Sequence, residues 1–218
     1  MHPLQRTAKI ISYALNPLAL PPLLLAALVA RTGGNAREVG AALSIGALFF
    51  AALPLLFVIR VVRREPGSTL ELRDRPHRTI PYTAGIGSYL LGIPVLLAAG
   101  LPAPRLLVGV MSCFVLNGIL LLSINLFWKI SLHVATIAGC FAIFGFVLVM
   151  TADGSASDAT TFRWTIATAL IGTAVVAWAR VRDEAHTFGQ VLGGALFGTI
   201  LPLAELVALE KLSLFDTL

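Results

Sequence analysis

"LLVGVMSCFVLNGILLLSINLFWKISLHVATIAGCFAIFGFVLVMTA", Leu106 to Ala152, carries one formal charge, Lys129, with 23 uncharged residues on each side of it. A helix needs about 20 mostly apolar residues to cross the hydrocarbon layer. The stretch therefore reads as two spans meeting at Trp128-Lys129-Ile130. Backbone polar groups in lipid must be bonded within the segment, and the alternation expected of barrel strands is absent, so the spans are helices. Working outward, the intervals 10–30, 39–59, 79–104, 164–179 and 185–204 also lack Asp, Glu, Lys and Arg. The fold class is thus all-α, a polytopic transmembrane helix bundle with six or seven spans. Seven follow if every interval crosses. Six follow if the first, broken by Pro17, Pro21 and Pro22, is re-entrant or interfacial.

Composition agrees. Of 218 residues, 57% are hydrophobic and 12% charged, with mean hydropathy +0.88, against about a quarter charged in soluble domains. Residues 1–218 read as one integral membrane domain without a soluble appendage. The first apolar run is long for a signal core and is expected to be retained. Cys113 and Cys140 fall inside expected helices and read as packing residues. The net charge of +5 does not point to nucleic acid, because the basic residues sit in short loops. Asp153 and Asp158 read as ordinary loop residues. Glu205 is an intramembrane acid whose place in the last run favours a packing or helix-end role.

Counting spans gives a parity. Two precede the polar stretch Arg60–Tyr82, four precede Lys129–His133, and six precede Arg180–His186. All three clusters therefore share the membrane face of the N-terminus. That face carries eleven of the sixteen Lys and Arg residues and the other carries five. The asymmetry favours a cytoplasmic N-terminal face, in a prokaryotic inner or plasma membrane.

Each cluster holds residues suited to phosphate. Arg75 and Arg78, in "LRDRPHRTIPY", offer planar forks that match phosphate oxygens and stay charged. Read alone, they equally suit an anchor on anionic headgroups. Lys129 ends one span, Ser131 is placed to N-cap the next, and His133 then lies in its first turn, where free backbone N–H groups attract anions. A histidine there is placed to protonate a leaving oxygen. In "ARVRDEAHTFGQVLGG", Ala179 to Gly194, a helix beginning near Asp183 would put His186 and Gln190 at i and i+4 on one face. The Gln190 oxygen would then take the Nδ1 proton and leave Nε2 nucleophilic, as in a triad with an amide for its carboxylate. Arg180 would reach the same phosphate from the preceding loop.

The three clusters resemble the motifs of the type 2 phosphatidic acid phosphatase superfamily, K-x6-R-P, P-S-G-H and S-R-x5-H-x3-D. Here the third stands as Ala179-Arg180, five residues, His186, three residues, Gln190. The second stands as Ile130-Ser131-Leu132-His133. The first keeps Arg75-Pro76, with Ser68 where the lysine belongs. The resemblance runs from Arg73 to Gln190 in order and implies a core like that of the family. It implies a catalytic set of His186 as phosphohistidine-forming nucleophile, His133 as acid and Gln190 in place of the aspartate. Arg75, Arg78, Lys129, Ser131 and Arg180 would bind phosphate. No metal and no cofactor is implied. The expected function is hydrolysis of a lipid phosphate, of the phosphatidic acid, phosphatidylglycerol phosphate or polyprenyl phosphate type. The alternatives are a phosphotransferase using the same histidine and a non-catalytic lipid-phosphate binder or transporter. The bilayer and a lipid phosphate are the expected partners, and a homo-oligomer is compatible with the sequence.

Overall fold

The computed structural model describes residues 3–64 and 79–212, which form eight helices and, among those residues, no strand. They are α1 (Pro3–Ala14), α2 (Leu20–Arg31), α3 (Ala36–Gly46 continuing through Ala47–Ala52 into Leu53–Arg64), α4 (Thr79–Ala98), α5 (Pro104–Asn125), α6 (Leu132–Met150), α7 (Ala156–Arg182) and α8 (Phe188–Lys211). Six of them, α3 to α8, are long and apolar enough to cross a membrane. Their outer faces expose residues such as Phe57, Leu91, Leu170, Ile171 and Ile200. A soluble monomer does not carry apolar surface on every face. The chain is an integral membrane protein.

The first charge-free interval is not one span. Asn16 Oδ1 accepts the Leu18 N–H at 2.9 Å and turns the chain between α1 and α2. Pro21 and Pro22 occupy the first turn of α2, where a missing N–H breaks no helical bond. The 12 residues of α2 reach about 18 Å, short of a layer about 30 Å thick. Leu25, Leu28 and Val29 are fully buried, so α2 is sheltered by protein, chiefly α3 and α6.

A wide turn at Ala47–Ala52 keeps α3 continuous past a proline. The Leu53 N–H bonds to the Leu48 carbonyl, five residues back. The next donor along that pattern would be Pro54, which has none. The Phe49 carbonyl is satisfied instead by Ser88 Oγ of α4, at 2.7 Å. Phe50 of this turn packs its ring on Tyr89 and Phe114, both at 4.7 Å, tying α3 to α4 and α5.

The closest helix pair is α6 and α8, and glycine explains it. A Cβ on Gly194 would stand 2.7 Å from the Ser131 carbonyl oxygen, and one on Gly198 would overlap the Ala135 carbonyl. Gly194-x-x-x-Gly198 is the small-residue spacing that lets membrane helices touch backbone to backbone. This contact carries the start of α6 against the start of α8.

At the opposite end, Arg31 holds three elements together. Its guanidinium pairs with Asp158 at 2.8 Å. It also donates to Thr151 Oγ1 at 2.8 Å and the Thr151 carbonyl at 2.7 Å. Asp158 is therefore a structural partner in the first turn of α7, where a loop residue without a role was expected.

Candidate active site

Where α6 meets α8, their preceding segments are pinned together. Lys129 Nζ donates to the Ala185 carbonyl at 2.8 Å, and the Ser131 N–H donates to the Gln190 carbonyl at 3.2 Å. Ser131 is the N-cap residue of α6, as expected, but its hydroxyl makes no capping bond. That hydroxyl is buried and has no partner among the described residues. The Lys129 side chain and the Ser131 backbone thus tie the two segments together, and neither residue is among those that line the cavity.

Arg180 was expected in a loop. It is instead in the last turn of α7, only 4% exposed. The chain then reverses through Glu184, which adopts a left-handed backbone at φ 56. The Arg180 carbonyl receives the N–H groups of Ala185 at 3.1 Å and of His186 at 3.2 Å. Five intervening residues are what this reversal needs to lay His186 back beside Arg180. The arginine–histidine spacing is therefore a statement about backbone geometry as well as chemistry.

His186 and Gln190 meet, but by a different route from the one expected. Helix α8 begins at Phe188 with Thr187 as N-cap, so His186 precedes the helix. Gln190 is the third helical residue of a capping box. Its side chain folds back, and Oε1 accepts the Thr187 N–H at 3.2 Å. The same oxygen lies 3.1 Å from His186 Nδ1. An amide oxygen can only accept, so this contact places a proton on Nδ1, and in a neutral ring Nε2 is then the unprotonated nitrogen. The cue was the run Thr187-Phe188-Gly189-Gln190, a capping-box signature.

His133 is the second residue of α6 and is half-buried. His133, Arg180 and His186 line one cavity of about 440 Å³. Its other walls are mostly apolar and come from α1 to α6 and α8, among them Tyr89, Phe114, Ile143 and Pro202. The cavity thus combines a guanidinium and two imidazoles with a largely apolar lining. Arg75 and Arg78, with Arg73 and His77, lie outside the described residues.

Several polar cavity residues went unnoticed in the sequence, among them Ser12, Asn16, Asn117 and Thr136. Only Thr136 had a visible cue, its place three residues after His133. Asn117 Nδ2 donates to Glu205 Oε2 at 2.7 Å and to the Cys113 carbonyl at 2.8 Å. Glu205 therefore binds α8 to α5 inside the bundle, the packing role expected of it. Cys113 and Cys140 are buried free thiols. No family model, curated protein or solved structure matches this chain.

Proposed function

We propose that the protein is a membrane phosphatase acting on a lipid phosphate. The observation that carries this reading is the His186–Gln190 contact of 3.1 Å on a cavity that also receives His133 and Arg180 and is otherwise largely apolar. The likeness of the three clusters to the type 2 phosphatidic acid phosphatase motifs supports it. His186 Nε2 attacks phosphorus, forming a P–N bond as the P–O bond to the lipid breaks. His133 gives its proton to the departing alkoxide. Water then attacks the phosphohistidine, an O–P bond replaces the P–N bond, and inorganic phosphate leaves. Arg180 holds phosphoryl oxygens throughout, with Arg75 and Arg78 of the preceding polar stretch as its proposed companions. Phosphoryl transfer depends mostly on such positioning and charge stabilisation. Gln190 orients the nucleophile without touching substrate. The site faces the cytoplasm in this reading, from the excess of Lys and Arg on its side of the membrane.

The test is phosphate release by the detergent-solubilised chain from phosphatidic acid, phosphatidylglycerol phosphate and a polyprenyl phosphate, with chelator present. With labelled lipid phosphate, quenching should leave label on the protein that is stable in alkali and labile in acid, as a P–N bond requires. Neither release nor label from any of the three would overturn the reading. Label without release, discharged by an added alcohol, would convert it to a phosphotransferase.

A further inference from the structure

Thr136 stands three residues beyond His133 on α6, so the two side chains share a face, and both line the cavity. Several helical hydroxyls elsewhere in the bundle are bonded within their own helix. Ser123 donates to the Ile119 carbonyl at 2.9 Å, Thr165 to Thr161 at 2.9 Å, Thr168 to Trp164 at 2.7 Å and Thr199 to Ala195 at 2.9 Å. This back-bond is the ordinary resting state of a helical hydroxyl. Thr136 makes neither it nor any other hydrogen bond among the described residues. A polar group inside a bundle is normally satisfied. The space this hydroxyl faces is the cavity.

We infer that Thr136 is a specificity-determining residue that hydrogen-bonds a neutral oxygen of the substrate lying just beyond the phosphoester. The inference rests on the phosphatase reading and adds to it what the substrate carries next to its phosphate. With phosphorus between His186 and His133, Thr136 stands three residues, about 4.5 Å, further along α6, within reach of the atoms after the bridging oxygen. In a glycerol ester those atoms include an oxygen two carbons from the bridging one. In a polyprenyl monophosphate they are hydrocarbon, and the hydroxyl would be covered without a partner. The oxygen is neutral because no charge awaits a second phosphate there. On α5 and α8 the cavity is lined by Phe114, Asn117, Leu121, Phe197 and Pro202, none of them charged. Asn117 already gives its amide nitrogen to Cys113 and Glu205, whereas the Thr136 hydroxyl is not engaged in that way.

The experiment compares kcat/KM on phosphatidic acid and on a polyprenyl monophosphate for the parent, Thr136→Val and Thr136→Ser. Valine keeps the shape and removes the hydroxyl; serine keeps the hydroxyl. Thr136→Val should lose about tenfold on phosphatidic acid and stay within about twofold on the polyprenyl phosphate, as loss of one substrate hydrogen bond requires. Thr136→Ser should stay near the parent on both. Retained turnover of the polyprenyl phosphate shows that the valine variant is folded. Equal losses on both substrates, or no loss on phosphatidic acid, would overturn the inference while leaving the phosphatase reading intact. A parent that releases phosphate from neither of these, nor from phosphatidylglycerol phosphate, defeats that reading, and this inference with it.

Discussion

The two ends of the α6–α7 hairpin use the same kinds of side chain to opposite effect. At one end Arg31 points into the hairpin and makes contacts of 2.7 to 2.8 Å with Thr151 and Asp158. At the other, Arg180 sits in the last turn of α7 and lines a cavity with His133 and His186. Both arginines are held by the fold. The first has an anionic partner inside the protein, so its charge is matched where it stands. The second lines a cavity together with two imidazoles. One arginine thus ties helices to each other, while the other stands on a cavity wall.

The comparison breaks most visibly at His186. His186→Ala should lower phosphate release by at least about a thousandfold, the scale on which removing a nucleophile acts. His133→Ala should lose about a hundredfold or more, as removal of a general acid does. Circular dichroism and thermal denaturation in detergent should show both variants folded. If a folded His186→Ala protein still turns over, the cavity end is no more chemical than the Arg31 end.

Next comes the contact that assembles the site. Gly198→Ala would drive a methyl group into the Ala135 carbonyl and push α6 from α8. Overpacking of this kind costs about 1–3 kcal/mol. A displacement of His133 from His186 by about 1 Å would cost turnover roughly a hundredfold. Gly40→Ala, where an added Cβ meets nothing within 4 Å, should change neither. Unchanged turnover in Gly198→Ala would mean that the close approach of α6 and α8 does not set the catalytic geometry.

The sequence told the two ends apart unevenly. Charge-free intervals marked the six long helices because lipid leaves a chain few alternatives. They merged α1 with α2, since a turn made by Asn16 inside apolar sequence leaves no charge to read. The wide turn of α3 was equally hidden, its cause being Pro54 together with Ser88 on another helix. His133, Arg180 and His186 were found from spacing, and all three line one cavity. Lys129 and Ser131 were assigned to phosphate on type and position; the structure adds that the Lys129 ammonium donates to the Ala185 carbonyl and the Ser131 N–H to the Gln190 carbonyl, tertiary contacts that no local pattern announces. Arg31 and Asp158 are 127 residues apart in the chain, and no local pattern announces a tertiary ion pair.

Gln190 sharpens the comparison because it serves both purposes. It closes the capping box of α8 and also meets His186. Gln190→Ala should lower kcat about tenfold with KM little changed, since orientation of the nucleophile acts in the transition state. Gln190→Glu preserves the length that reaches back to Thr187 and adds a charge to offset the imidazolium. It should recover most of the lost turnover. A purely capping role predicts otherwise: both variants would keep the parent kcat and only the alanine variant would melt earlier.

The smallest effect belongs to the far end, and its selectivity is the point. Arg31→Ala removes the ion pair and two hydrogen bonds, but the side chains of Arg31 and Asp158 are 25% and 13% exposed, so solvent screens part of their attraction. A pair of this kind contributes about 1 kcal/mol or less, which for a chain of this size lowers Tm by about 2–4 °C. Asp158 would not be stranded, because it still accepts the Asp153 N–H at 2.9 Å and lies at the positive end of α7. Thr151 keeps its bond to the Val147 carbonyl at 2.8 Å. Nothing in this change reaches His133 or His186, so kcat and KM should match the parent within about twofold, the spread expected of surface substitutions. Arg31→Lys should recover part of the Tm by keeping the charge while losing the fork that bridges Thr151 and Asp158. A fall in turnover beyond that spread, at a temperature where Arg31→Ala is fully folded, would show that the two ends of the hairpin are coupled and that the division between them is wrong.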